Sequence, residues 1–166
     1  MKLAVVSDTH LDQPSPWFMD VYERFLAPAD VLLHCGDFTG PAVLWFLQGH
    51  PRFYGVAGNM DHELYDEGLP GKRELDLDGV RVGMVHGWGL GGDLVRGVPQ
   101  VFGEGFDLVC FGHTHRYACE RSGRVTVLNP GSATASRHGP PSLALVSVAP
   151  DKSLLVERIE LSLGNR

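Results

Sequence analysis

The chain has 166 residues, 43% of them apolar, which fits one domain with a sizeable core and leaves little room for a second. Charged residues make up 20%, and 14 basic side chains against 20 acidic ones leave a net charge of -6. That balance excludes a broad basic surface gripping nucleic acid, but not a phosphate substrate whose charge is met by metal ions.

In chain order, KLAVVS is predicted as a buried strand, β-branched and without strict alternation. PSPWFMDVYERFL is predicted as a helix, with Trp17, Val21 and Phe25 four apart on one face. DVLLHC comes next as a strand, and GPAVLWFLQG as a helix with Pro41 near its first turn and Gly49 near its end. RFYGVAG is a third strand, so the first third alternates strand and helix, the pattern of a parallel sheet covered by helices. The remainder changes character. RELDLDGVRVGMVHG is predicted as a hairpin around Asp78-Gly79, and GDLVRGVPQVFGEG as a weak helix broken by Gly97 and Pro99. FDLVCFG is another buried strand, YACERSGRVTVLN a hairpin around Ser122-Gly123, SATASRHGPPS a loop, and LALVSVAPDKSLLVERIEL a closing hairpin. So many strands call for two packed sheets within one domain spanning residues 1–166.

No apolar run approaches the ~20 residues of a membrane span, and the apolar stretch in MKLAVVSDTH is too short for a signal peptide. Cys35, Cys110 and Cys119 form no paired framework, and Cys35 and Cys110 lie in apolar runs as buried thiols. A reducing cytoplasm is the expected compartment.

Five apolar runs end in the same kind of chemistry, at VVSDTHLD, LLHCGDFTG, YGVAGNMDHE, GMVHGWG and VCFGHTHRY. Ligands of open α/β sheets bind outside the carboxyl ends of strands, so polar residues placed there converge. The candidates are Asp8 and His10, Asp37, Asn59, His86, and His113 and His115. Asp8 and His10 are two apart, as are His113 and His115, and in extended chain such pairs face the same way. Imidazole with carboxylate suits manganese, iron, zinc, nickel or cobalt. Seven donors exceed one tetrahedral zinc site and match two ions ~3.5–4 Å apart, with Asp37 the natural bridge. Gly36, Gly58, Gly87 and Gly112, beside the ligands, permit tight turns and close backbone approach.

In this order SDTH, GDF, GNMD, VHG and GHTH resemble the motifs of the calcineurin-like metallophosphoesterases. LNPGSATASR resembles the segment after the last motif in the small YfcE-type phosphodiesterase branch. The resemblance implies a four-layer α/β/β/α sandwich with two mixed sheets. It implies one divalent ion held by Asp8, His10, Asp37 and His115 and another by Asp37, Asn59, His86 and His113. Manganese leads the candidate ions, with nickel, iron, zinc or magnesium the others. A hydroxide bridging the ions would attack a small phosphodiester in line with its leaving oxygen. The resemblance also makes a homodimer or higher oligomer an expectation, with no membrane and no large nucleic-acid surface.

Catalytic roles fall to Asp37, Asn59, Asp61 and His62, and substrate binding to Asn59, Ser132 and Arg137. Asp61 is expected to orient Asn59 or a ligand histidine. Ser132 and Arg137, in the loop after the last motif with Asn129, are expected to meet substrate phosphate. Many members of the family carry a histidine where this chain has Met60, which neither donates a proton nor carries charge. His62 is the candidate replacement. His34 reads as a buried supporting or core histidine, His50 and His138 as exposed, and Trp88 as a candidate wall of the cleft. Two other functions compete with phosphodiester hydrolysis. One is a non-catalytic scaffold like the retromer subunit of this fold, which Met60 favours and the complete ligand set disfavours. The other is a nuclease, against which the acidic balance counts.

Overall fold

Two five-stranded mixed sheets stack face to face in the computed structural model, which describes residues 1–65, 68–134, 136 and 138–162. In chain order the elements are β1 (Lys2–Val6), α1 (Pro16–Val21), β2 (Val31–His34), α2 (Pro41–Gln48), β3 (Phe53–Gly55), β4 (Lys72–Leu77), β5 (Val80–Val85), α3 (Leu94–Gly97), β6 (Leu108–Cys110), β7 (Ala118–Ser122), β8 (Val125–Asn129), β9 (Ser142–Val148) and β10 (Leu154–Glu160). The first sheet runs β10-β9-β1-β2-β3 and the second β4-β5-β6-β8-β7. Strands β1, β2 and β3 are parallel to one another, as are β5, β6 and β8, while hairpins add antiparallel edges.

Three apolar clusters divide the molecule into four layers. Alternate residues of β1 and β2 supply two of them. Ala4, Val6 and Leu32 pack with Phe18, Val43, Leu44 and Leu47 under α1 and α2. Leu3, Val5, Val31 and Leu33 face Val82, Met84, Leu108, Cys110 and Leu128 of the other sheet. Val109, Phe111 and Val127 turn outward against Leu94 and Val98 of the α3 segment. Burial on both faces explains why these strands are continuous apolar runs. The α/β/β/α sandwich expected from the sequence is the fold observed.

Local chemistry sets the boundaries. Ser15 caps α1 by accepting the Phe18 N–H at 3.2 Å, and Pro16 fits the first helical turn, where its missing N–H costs nothing. The helix then widens into a π turn over Tyr22–Leu26. Trp17 and Phe25 pack at the margin of the core that buries Val21. The β4–β5 turn is Asp78-Gly79, both at positive φ, as its hairpin pattern required. In the next hairpin Ser122 pairs with Val125, so the turn is Gly123-Arg124, one residue later than expected, because Gly123 takes the positive φ. The weak helix is only one turn, Leu94–Gly97, followed by a 3-10 turn over Val98–Val101 that begins next to Pro99. His50 is buried, not exposed as its sequence context suggested, and its Nε2 bonds the Ala29 carbonyl at 3.0 Å. His138 is exposed. Among the described residues no helix is long and apolar enough to cross a membrane.

Candidate metal centre

All five motifs lie just past the carboxyl ends of β1, β2, β3, β5 and β6. Pairing continues beyond β1 and β2, because the Asp8 N–H reaches the Gly36 carbonyl at 2.9 Å and the His10 N–H the Asp37 carbonyl at 3.1 Å. Those bonds hold Asp8, His10 and Asp37 side by side. The backbone there is not extended. Asp8, His10, Asp37, His113 and His115 all sit at positive φ, between 44° and 68°. The explanation of the Asp-Thr-His and His-Thr-His pairs by strand alternation therefore gives way to left-handed turns. Such backbone is costly for residues with a Cβ and persists where surrounding structure imposes it, characteristically at functional sites.

Asp8, His10, Asp37 and His115 each offer a donor atom within 4.8 Å of the others. His115 Nε2 lies 3.2 Å from Asp8 Oδ1 and 3.1 Å from His10 Nε2. Asp37 Oδ2 stands between the two halves of the site, 3.6 Å from His10 Nε2 and 3.3 Å from His86 Nε2. The His86 and His113 rings meet edge to face with centroids 5.2 Å apart, and His113 Nδ1 lies 3.1 Å from Asn59 Oδ1. His113 and His115 thus part company, one toward Asn59 and one toward Asp8.

The donor set fits cations. Asp8 and Asp37 are 0% and 2% exposed, and two buried carboxylates side by side are unfavourable without positive charge. His86 Nδ1 is 2.7 Å from the Cys35 carbonyl, which only accepts, so Nδ1 carries a proton and Nε2 is the nitrogen left for a second proton or a metal. That buried Nε2 has no hydrogen-bond partner among the described residues, although it faces Asp37 Oδ2. A bare lone pair facing a carboxylate is repelled, and positive charge at Nε2, from a proton or a bound cation, relieves it. The electrostatics of the cluster make the same demand. Burial works against a charged His86, but the Asp37 and Asp8 carboxylates outweigh it and raise its pKa. Burial likewise works against Asp37 ionisation, and the His86 contact outweighs it and lowers the Asp37 pKa. Burial lowers His10 and His113, which favours the neutral imidazoles that metals bind.

Other side chains hold this geometry. Asp61 accepts the backbone N–H groups of Asp37 at 2.7 Å, Gly58 at 2.8 Å and Thr39 at 3.0 Å. It is buried and anchors the Asp37 turn through backbone N–H groups, where a contact to Asn59 or a histidine was expected. Ser132 is also buried, and its Oγ donates to the Asp8 carbonyl at 2.8 Å, which fastens the Asp8 turn. His62 is exposed at the start of a 3-10 turn, His62–Tyr65, with no hydrogen bond or ion pair to the cluster among the described residues. Arg137 lies outside the described residues. Asn129, at the end of β8, donates through Nδ2 to the Gly112 carbonyl at 2.7 Å and to Thr114 Oγ1 at 3.1 Å, bracing the His113 loop. The sequence placed Asn129 and His34 near the site without these bonds, and gave Thr9 and Thr39 no part. His34 stacks on Phe38 at 3.5 Å and accepts the Gly36 N–H at Nδ1, which leaves its Nε2 proton for Thr9 Oγ1 at 3.2 Å. Thr39 Oγ1 lies 3.4 Å from His10 Nδ1, steadying the ring. A hydroxyl one or two residues from a ligand is the signal that marks both threonines in the sequence.

Gly58 and Gly112 are fixed by contact. A Cβ on Gly58 would overlap the Asp37 carboxylate, and one on Gly112 would overlap Ser7 Oγ and crowd Asp8. The close approach expected of these glycines is what the packing requires.

A sandwich with an acid–histidine cluster at one set of strand ends is the architecture of metal-dependent hydrolases. The family profile described as the calcineurin-like phosphoesterase superfamily domain matches residues 1–151. A Methanocaldococcus jannaschii protein named "Probable metallophosphoesterase" is 32% identical over 153 residues, 89% of this chain and 76% of that protein. The structure of YfcE, a phosphoesterase from E. coli, superposes with a TM-score of 0.69 at 21% identity, over 98% of this chain and 100% of that one. Vps29 complexed with zinc, from Entamoeba histolytica, gives 0.70 at 24% identity, over 96% and 99%. The chain belongs to the calcineurin-like phosphoesterase superfamily, as a metal-dependent hydrolase.

Proposed function

We propose that the protein is a two-metal phosphodiesterase acting on small phosphodiesters. The observation that carries this is Asp37 Oδ2, placed between His10 Nε2 at 3.6 Å and the unpartnered His86 Nε2 at 3.3 Å. Asp8, His10, Asp37 and His115 would hold one ion, and Asp37, Asn59, His86 and His113 the other. Bound divalent ions supply Lewis acidity, making water nucleophilic near neutral pH and meeting the charge that grows on phosphoryl oxygens.

The chain's own residues do the positioning. The Cys35 carbonyl holds the Nδ1 proton of His86, so Nε2 is the ring nitrogen turned to the ion. The Met60 N–H bonds Asp37 Oδ1 at 2.9 Å and leaves Oδ2 free to be shared. Asn59 stands beside His113, the exposed member of the cluster, where an entering phosphate would meet an amide. No proton donor occupies position 60, so esters with good leaving groups are the expected substrates.

The test is hydrolysis of an activated phosphodiester by metal-stripped protein with manganese, nickel, zinc and magnesium returned separately. Turnover that depends on the ion and falls at least 100-fold in Asp37→Ala supports the reading. Two bound ions with no turnover of any ester would replace it with the scaffold reading, which Met60 and the fold shared with Vps29 support.

A further inference from the structure

Of the six large apolar side chains exposed among the described residues, three ride on the two loops that carry Asn59 and His86. Met60 is 52% exposed, Trp88 51% and Leu90 37%. Both loops converge on His113, the exposed ligand. Asn59 touches its Nδ1 at 3.1 Å, and His86 meets its ring at 5.2 Å. Met60 is the residue after Asn59 and Trp88 is two residues past His86, so their backbones lie within about 4 Å and 7 Å of those ligands by chain reach alone. The Trp88 loop has Gly87, Gly89 and Gly92 at positive φ, and it leaves half of the indole surface open to solvent. The half of an indole left in solvent beside a polar cluster offers a face on which a flat ring can stack.

We infer that Met60 and Trp88 form an apolar lip that selects phosphodiesters carrying a flat aromatic group, an aryl ring or a nucleobase, next to the phosphate. The inference rests on the phosphodiesterase reading and adds its substrate class. Ring stacking on one aromatic side chain discriminates by about tenfold or more.

Two diesters that share the p-nitrophenyl leaving group, and so differ only in whether the retained ester carries a ring, read the effect at that side of the phosphate, phenyl p-nitrophenyl phosphate and methyl p-nitrophenyl phosphate. With manganese-loaded protein, and after correction for uncatalysed reactivity, kcat/KM should favour the phenyl ester by about tenfold. Trp88→Ala should bring that ratio close to one, and Trp88→Phe should keep most of it. An unchanged ratio in Trp88→Ala overturns the inference. Calorimetric binding of phenylphosphonate against methylphosphonate reads the same preference without turnover. If neither diester is hydrolysed, the phosphodiesterase reading falls. The lip then stands only if phenylphosphonate still binds about tenfold tighter and Trp88→Ala abolishes the difference, and equal binding of the two phosphonates overturns it as well.

Discussion

At the scale of single residues, the cluster depends on groups that never touch a metal. Asp61 gives its carboxylate to three backbone N–H groups, at 2.7, 2.8 and 3.0 Å, and so shapes the turn that aims Asp37. Asp61→Ala would leave buried donors unsatisfied, and urea unfolding should show a loss of roughly 2–4 kcal/mol. His62→Ala, on the exposed turn, should leave stability within about 0.5 kcal/mol of the parent. His34 sets a pH dependence. Burial is the main cause of its pKa lying well below the ordinary histidine value of about 6.5. The folded state therefore keeps His34 neutral where the unfolded chain protonates. Its contribution is fully present above about pH 6.5 and is lost as pH falls toward the folded pKa. Urea titrations of metal-free protein should show stability declining below pH 6.5 more steeply in the parent than in His34→Gln. Equal slopes would mean that His34 does not set the dependence.

At the scale of elements, the site is made by loops that stay hydrogen-bonded after the strands end. Asp8 and His10 continue to pair with the segment after β2, while the His113 N–H reaches both Asp8 oxygens at 3.2 Å. Strand-end glycines allow this closeness, and they differ sharply in what surrounds them. A Cβ at Gly112 would collide with Ser7 and Asp8, whereas one at Gly91 would meet nothing within 4 Å. Gly112→Ala should weaken manganese binding by at least tenfold in calorimetry, and Gly91→Ala should match the parent. Equal affinities would mean that the loop relaxes without moving Asp8. The ends of the elements were also where sequence patterns misjudged most. The β7–β8 turn shifted by one residue because register is set by the paired strands and the positive φ of Gly123, neither of which a propensity pattern contains.

At the scale of the whole molecule, the centre joins the two sheets. Its ligands come after β1, β2 and β3 of one sheet and β5 and β6 of the other, across the apolar layer shared by Leu3, Val5, Val82 and Met84. Ions bound there therefore tie the halves of the sandwich together and favour the folded state by mass action. Each ion at 100 times its dissociation constant should add about 2.7 kcal/mol, a rise in Tm of roughly 5–10 °C on manganese addition that chelator reverses. A Tm indifferent to manganese would show that the cluster binds no ion in the native state.

The sequence by itself determined the layers and the set of candidate donors. Doubly buried strands must be continuous apolar runs, and five such runs ending in Asp, Asn or His are visible without coordinates. Tertiary structure alone decided how those residues are held and which neighbours take part. Left-handed backbone at Asp8 and Asp37, the Asp61 bond to the Asp37 N–H, the Ser132 bond to the Asp8 carbonyl and the orphaned His86 nitrogen all involve residues 24 to 124 positions apart. A linear pattern records which groups a chain possesses. Only the packing of one sheet on the other settles whether a carboxylate faces a metal, a substrate or a backbone N–H.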